Sequence, residues 1–163
     1  MKNLIFLIFL ISVNSFSQKN LQQLLKKYNT ESVPYISISE LQKEKEVILL
    51  DAREPKEFEV SHLKNAMCVG YDFFNLENTL VKLPKNKNTK IVVYCSLGIR
   101  SEDIAEKLQK EGFTNIFNLY GGIFEWKNQG NITVNLQNNP TEKVHAFNKE
   151  WSKWLHKGEK VYE

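Results

Sequence analysis

The 163-residue chain has only two cysteines, Cys68 and Cys95, and three histidines, His62, His145 and His156. It contains no Cys-x-x-Cys pair. Structural zinc sites take four Cys or His ligands at close spacing, so neither a metal nor a cofactor is expected. Charge of one sign is also scarce: 22 basic and 19 acidic residues leave +3 at pH 7. The basic residues are dispersed, and Lys26-Lys27 and the stretch Lys85 to Lys90 read as solvated surface, which argues against a nucleic-acid partner. There is no internal repeat and no low-complexity linker. A single long apolar run is present, Leu4 to Ile11, and it falls well short of the roughly 20 residues that a membrane span requires.

That run follows Lys2 and precedes the small-x-small site Ser15-Phe16-Ser17, the pattern of a secretory signal peptide. Residues 1–17 are therefore expected to be removed and the chain exported, to the periplasm or beyond. Gln18 would then be the first residue, so no cysteine there invites a lipid anchor. With no second hydrophobic segment, the exported protein is expected to be soluble and free of the membrane. The remaining length suits one domain with a real core. In an exported protein the two cysteines could bridge. Cys68 lies in a short apolar stretch, Ala66 to Val69, and reads as a small buried hydrophobe; a resolving thiol for Cys95 is the alternative.

Residues 18–32 read as an N-terminal helical segment. From Val33 onward, short continuously apolar strands alternate with helices. Strands are expected at Val33 to Ser37, Val47 to Leu50, Ala66 to Val69, Lys90 to Tyr94 and Ile116 to Leu119. Helices are expected to open at the capping box Ser37-x-x-Glu40, at Pro55, at Asn75, at Ser101 and at Ile123. Apolar strands of this kind belong to a mostly parallel sheet with helices on both faces. Residues 33–130 form this α/β domain. Residues 131–163 form an extension: a polar connection, then an amphipathic helix over Thr141 to Lys157, with Val144, Phe147, Trp151, Trp154 and Leu155 at helical spacing.

Ligands of open parallel sheets lie beyond the C-terminal ends of the strands. The apolar run Lys90 to Tyr94 ends at Cys95, within Cys95-Ser96-Leu97-Gly98-Ile99-Arg100-Ser101. Loop N–H groups, the Arg100 guanidinium and the following helix all favour a thiolate at Cys95. Two chemistries use such a loop, attack on phosphorus and attack on a sulfane sulfur. A phosphoryl group needs the wider cradle of C-x5-R, whereas the spacing here is C-x4-R. The shorter loop favours sulfur, carried as a Cys95 persulfide.

The chain resembles the single-domain rhodaneses, a sulfurtransferase family. The resemblance rests on CSLGIRS, on Leu49 to Phe58 (LLDAREPKEF) and on Gly112 to Trp126 (GFTNIFNLYGGIFEW), in the family order. It implies a rhodanese-like α/β fold and transfer of sulfur from thiosulfate, polysulfide or a persulfide to a thiol or cyanide. Cys95 would be the nucleophile. Ser96 to Ser101 would form the substrate-binding loop: Ser96, Leu97, Gly98 and Ile99 would supply the N–H cradle, Arg100 would hold an anionic donor, and Ser101, its last residue, would cap the next helix. Asp51 and Arg53 match a supporting pair near the site. One departure is Ser61 to Ala66, where the family has G-H-I-P-G-A; only His62 and Ala66 match, which implies an altered turn. His62 reads as a turn histidine. A small sulfur-containing anion, a thiol acceptor and a protein sulfur donor or acceptor are the implied partners. Two other classes stay open. One is a non-catalytic persulfide carrier or redox-sensing module, and the other is a phosphatase or arsenate reductase, which the loop length opposes.

Overall fold

The computed structural model describes residues 20–162, so the expected signal peptide lies outside the described residues. The chain divides into two compact units, Met1–Glu31 and Ser32–Glu163. The first carries helix α1, residues 20–28, with Leu21 and Leu25 buried one turn apart on the same face.

The second unit follows the alternation read from the sequence. Its elements begin β1 (Tyr35–Ile36), α2 (Ile38–Leu41), β2 (Ile48–Asp51), α3 (Pro55–Val60) and β3 (Met67–Cys68). They continue with α4 (Leu76–Lys82), β4 (Ile91–Tyr94), α5 (Arg100–Lys110), β5 (Ile116–Leu119) and α6 (Gly122–Asn128). Local signals act as expected. Ser37 and Glu40 complete the capping box of α2, Pro55 opens α3 and Asn75 caps α4. Asn65 takes φ +66, a left-handed conformation that Asn tolerates. It stands where the family pattern has glycine, and the turn closes through Ala66 N–H to the Leu63 carbonyl.

The five strands form one parallel sheet in the order β1-β5-β4-β2-β3. Strand β4 is central, and all four of its residues are buried. Ile91, Val93 and Cys95 join one core cluster with Ile104, Ala105 and Leu108 of α5. Side chains alternate between sheet faces, so the equal burial of Val92 and Tyr94 shows that the second face is covered too. Burying each large aliphatic side chain of this core contributes about 1.5–3 kcal/mol, which fixes β4 and α5 around the loop that joins them.

The extension departs from expectation. In place of a polar connection there is a small hairpin, β6 (Thr133–Val134) with β7 (Pro140–Thr141). In place of one amphipathic helix there are β8 (Lys143–His145), a 3₁₀ turn over Trp151–Trp154, and β9 (Glu159–Val161). Strands β8 and β9 pair in parallel, a connection that requires a crossover of a dozen or more residues. The 3₁₀ turn lies within that crossover. Residues three apart eclipse in a 3₁₀ turn, so the Trp151/Trp154 spacing that resembles a helical stripe is met by a single turn. Strand β8 packs beside α3.

Candidate active site

The loop from Cys95 to Ile99 leaves the C-terminal end of β4, and α5 begins at Arg100. Cys95 is only 2% exposed. Its Sγ accepts the Gly98 N–H at 3.1 Å and lies 3.5 Å from the Ser101 hydroxyl. Gly98 has φ +104, a conformation that glycine adopts without steric cost, and this aims its N–H inward. Ser101 does not cap the helix. It sits inside α5, and its Oγ lies 2.7 Å from Asn118 Oδ1 on β5. The Asn118 amide donates to the Gly98 carbonyl at 2.8 Å, so a buried β5 side chain ties the C-terminal part of the loop to the first turn of α5. The start of α6 holds two more loop carbonyls: Ile123 N–H donates to Cys95 O at 2.9 Å and Phe124 N–H to Ser96 O at 3.1 Å.

Arg100 is engaged from within the fold. Its two terminal nitrogens donate to Glu57 of α3 at 2.7 and 2.9 Å, and one also reaches Ser96 Oγ at 3.1 Å. Glu57 Oε2 further accepts the Glu54 N–H at 3.0 Å. Burial pushes the Glu57 carboxyl up, but the Arg100 hydrogen bonds and charge outweigh it and hold the group below its usual range. The Cys95 thiol behaves similarly. Burial raises it, while the Arg100 charge, the Ser101 hydroxyl and the Ser101 and Gly98 N–H groups lower it further. The net result is a thiol below its ordinary range, the condition of a reactive cysteine. Cys68 is the contrast. Burial, with the Asp51 charge, pushes it up to about 11, and both cysteines are free thiols.

Asp51 and Arg53 form a fully buried pair at the end of β2, with Arg53 Nη2 2.6 Å from Asp51 Oδ2. The same nitrogen donates to the Ser61 carbonyl at 2.7 Å, which ties two loops together beside the site. His62 Nδ1–H donates to the Phe58 carbonyl at 3.0 Å and the ring stacks on that of Phe58, while its backbone pairs with Val134. It belongs to the turn. Among the described residues no group of three His, Cys, Asp or Glu side chains could hold a metal, and no helix is long and apolar enough to cross a membrane.

A cavity of about 160 Å³ opens at the thiol, lined by Cys95, Ser96, Leu97, Ile99, Arg100, Phe147 and Trp151. The last two come from the extension. Arg100 lies under the Phe147 ring, 5.1 Å from its centroid. His145, buried on β8, has Nδ1 3.9 Å from Glu57 Oε1, and the Phe147 N–H donates to that nitrogen at 3.2 Å.

The family profile of the rhodanese-like domain matches residues 37–129. The chain belongs to the rhodanese-like domain family. Its relatives include a tRNA uridine(34) hydroxylase of Aster yellows witches'-broom phytoplasma, 39% identical over 51% of this chain and 28% of that protein. A probable adenylyltransferase/sulfurtransferase MoeZ of Mycobacterium tuberculosis is 32% identical over 52% of this chain and 21% of that one. The chain thus spans between a fifth and a third of these curated relatives. Among solved structures, a rhodanese-related protein of Thermoplasma volcanium is 28% identical, with a TM-score of 0.55, over 62% of this chain and 97% of that chain.

Within this rhodanese-like domain the structure brings Cys95, Ser96, Leu97, Ile99 and Arg100 to one cavity, with Gly98 and Ser101 behind the sulfur and Asp51 and Arg53 beside it. Sequence reasoning assigned no role to Glu57, Asn118 or His145 and did not place Phe147 or Trp151 at the site. Glu57 and Asn118 both stand inside the quoted family motifs, and that was the available signal. His145, Phe147 and Trp151 lie beyond residue 129, outside the family profile.

Proposed function

We propose that the chain is a sulfurtransferase in which Cys95 carries sulfur as a persulfide, exported after loss of residues 1–17. The observation that carries this reading is a thiol set below its ordinary range at the end of β4, inside a four-residue loop closed by Arg100. The Mycobacterium tuberculosis relative, similar to this chain over part of its length, is by name a probable adenylyltransferase/sulfurtransferase, which supports the same class.

The chemistry is two displacements with no net oxidation. The Cys95 thiolate attacks the outer sulfur of the donor, a Cys95 S–S bond forms, and the bond from that sulfur to the rest of the donor breaks with its electron pair. From thiosulfate the leaving group is sulfite. A thiolate or cyanide then takes the outer sulfur and returns the Cys95 thiolate. Buried N–H donors aimed at sulfur lower the cost of charge there in both steps.

Intact-mass measurement of the protein exported by its own host tests this reading. Loss of residues 1–17 and a gain of one sulfur on Cys95 after treatment with polysulfide are the expected results. Cys95→Ala should prevent the gain and Cys68→Ser should not. Persulfide formation without turnover to cyanide or thiols would favour a carrier. Phosphate ester hydrolysis at a comparable rate would overturn the proposal.

A further inference from the structure

We infer that the extension selects the sulfur donor, and that the site takes an organic sulfane-sulfur compound with an apolar or aromatic group in preference to a small inorganic dianion. The inference rests on the sulfur-transfer reading and adds its substrate class.

Three observations converge. First, the cavity above Cys95 is walled on one side by Phe147 and Trp151, with Leu97 and Ile99 also lining it. An apolar group there would be removed from water against aromatic faces. Second, Arg100 is the only charged residue among those lining the cavity, and Glu57 already engages both its terminal nitrogens. Its ion pair is bidentate and largely buried, which leaves no uncompensated positive charge on the described cavity wall for a dianion that must shed its water to enter. Third, Phe147 is held in a costly position. Its φ is +64, which a bulky side chain rarely adopts, and the residue remains 46% exposed. Such strain, with little burial in return, is characteristic of a residue whose placement serves a site. The hydrogen bond from its N–H to His145 and the contact with Arg100 hold it at the cavity mouth.

The reaction would then run from a donor such as an aryl thiosulfonate. The Cys95 thiolate bonds to the terminal sulfur, the bond between the two donor sulfurs breaks, and an aryl sulfinate leaves with the electron pair. The aryl group occupies the cavity and the transferred sulfur faces the Gly98 N–H.

The test compares benzenethiosulfonate with thiosulfate, with cyanide as the common acceptor, on the full chain. We expect kcat/KM to favour the aromatic donor at least tenfold. Phe147→Ala/Trp151→Ala should reduce that ratio by tenfold or more, while Phe147→Leu/Trp151→Phe, which keeps the wall apolar, should preserve most of it; circular dichroism reports folding of both. Equal use of the two donors by the unaltered protein overturns the inference while leaving sulfur transfer intact. So does an unchanged ratio in a folded double alanine variant. No sulfur gained on Cys95 from either donor overturns both readings.

Discussion

At the scale of single residues, the site is a set of opposed electrostatic effects. Cys95 is buried, which alone would make it an inert thiol, and the Arg100 charge with three hydrogen-bond donors reverses the result. Cys68 is only half-buried, but it lacks the Arg100 charge and those donors, and burial with the Asp51 charge moves it the other way. The two cysteines should therefore separate under alkylation. With iodoacetamide, Cys95 should react with a midpoint below the ordinary thiol value, while Cys68 should be essentially unmodified at pH 9; peptide mass spectrometry resolves them, and equal labelling would refute the assignment. Arg100→Gln should move the Cys95 midpoint upward. Glu57 is the other decisive residue. Removing one partner of a buried ion pair leaves the other uncompensated, at a cost of about 3 kcal/mol. Glu57→Gln should lower stability by about that amount in urea unfolding, and a change within experimental error would mean that Glu57 does not position Arg100.

At the scale of elements, α6 and the Cys95 loop are built against each other. A β-carbon on Gly122 would lie 2.2 Å from the Cys95 carbonyl oxygen and 2.8 Å from the Ser96 backbone, and Gly122 has φ +55. Gly122→Ala must displace the loop, and we expect it to lose most sulfur loading of Cys95 while α5 and the sheet persist by circular dichroism. Wild-type loading in that variant would show that the loop is not held from α6. The elements around this contact were legible in the sequence because their signals are local: an apolar run for β4, Pro55 for α3, Ser37 and Glu40 for α2. The Gly121-Gly122 turn was legible too, but its approach to Cys95 was not. Glu57 and Arg100 are 43 residues apart, and no spacing in the chain announces such a pair. The extension misled for a related reason. Trp151 and Trp154 do fall on one side of a turn, but β8 is defined by pairing with β9, sixteen residues on, and by packing beside α3. Both are tertiary effects that override local periodicity.

At the scale of the whole molecule, the extension is structurally continuous with the rhodanese-like domain. Val134 pairs with His62, Val144, Ala146 and Leu155 are fully buried, and Lys127 of α6 reaches Glu142 at 2.8 Å. His145 is a buried titratable group at this junction. Burial pushes it below its ordinary value, the Glu57 charge opposes this, and the Arg53 and Lys56 charges add to the lowering. The folded protein therefore binds a proton at His145 less readily than the unfolded chain does. By linkage, this stability is fully present above the ordinary histidine value near 6.5 and is lost as pH falls through the lower folded value. Glu57, also lowered, contributes its own loss only at more acidic pH, as the solution approaches the carboxylate range. The two windows can thus be told apart. Between pH 7.5 and 5.5 the thermal midpoint of the unaltered protein should fall, and His145→Asn, which cannot titrate there, should flatten that slope while starting from a lower midpoint. Parallel slopes for the two proteins would place the acid sensitivity elsewhere, and would remove His145 as the link between the extension and the Glu57–Arg100 pair.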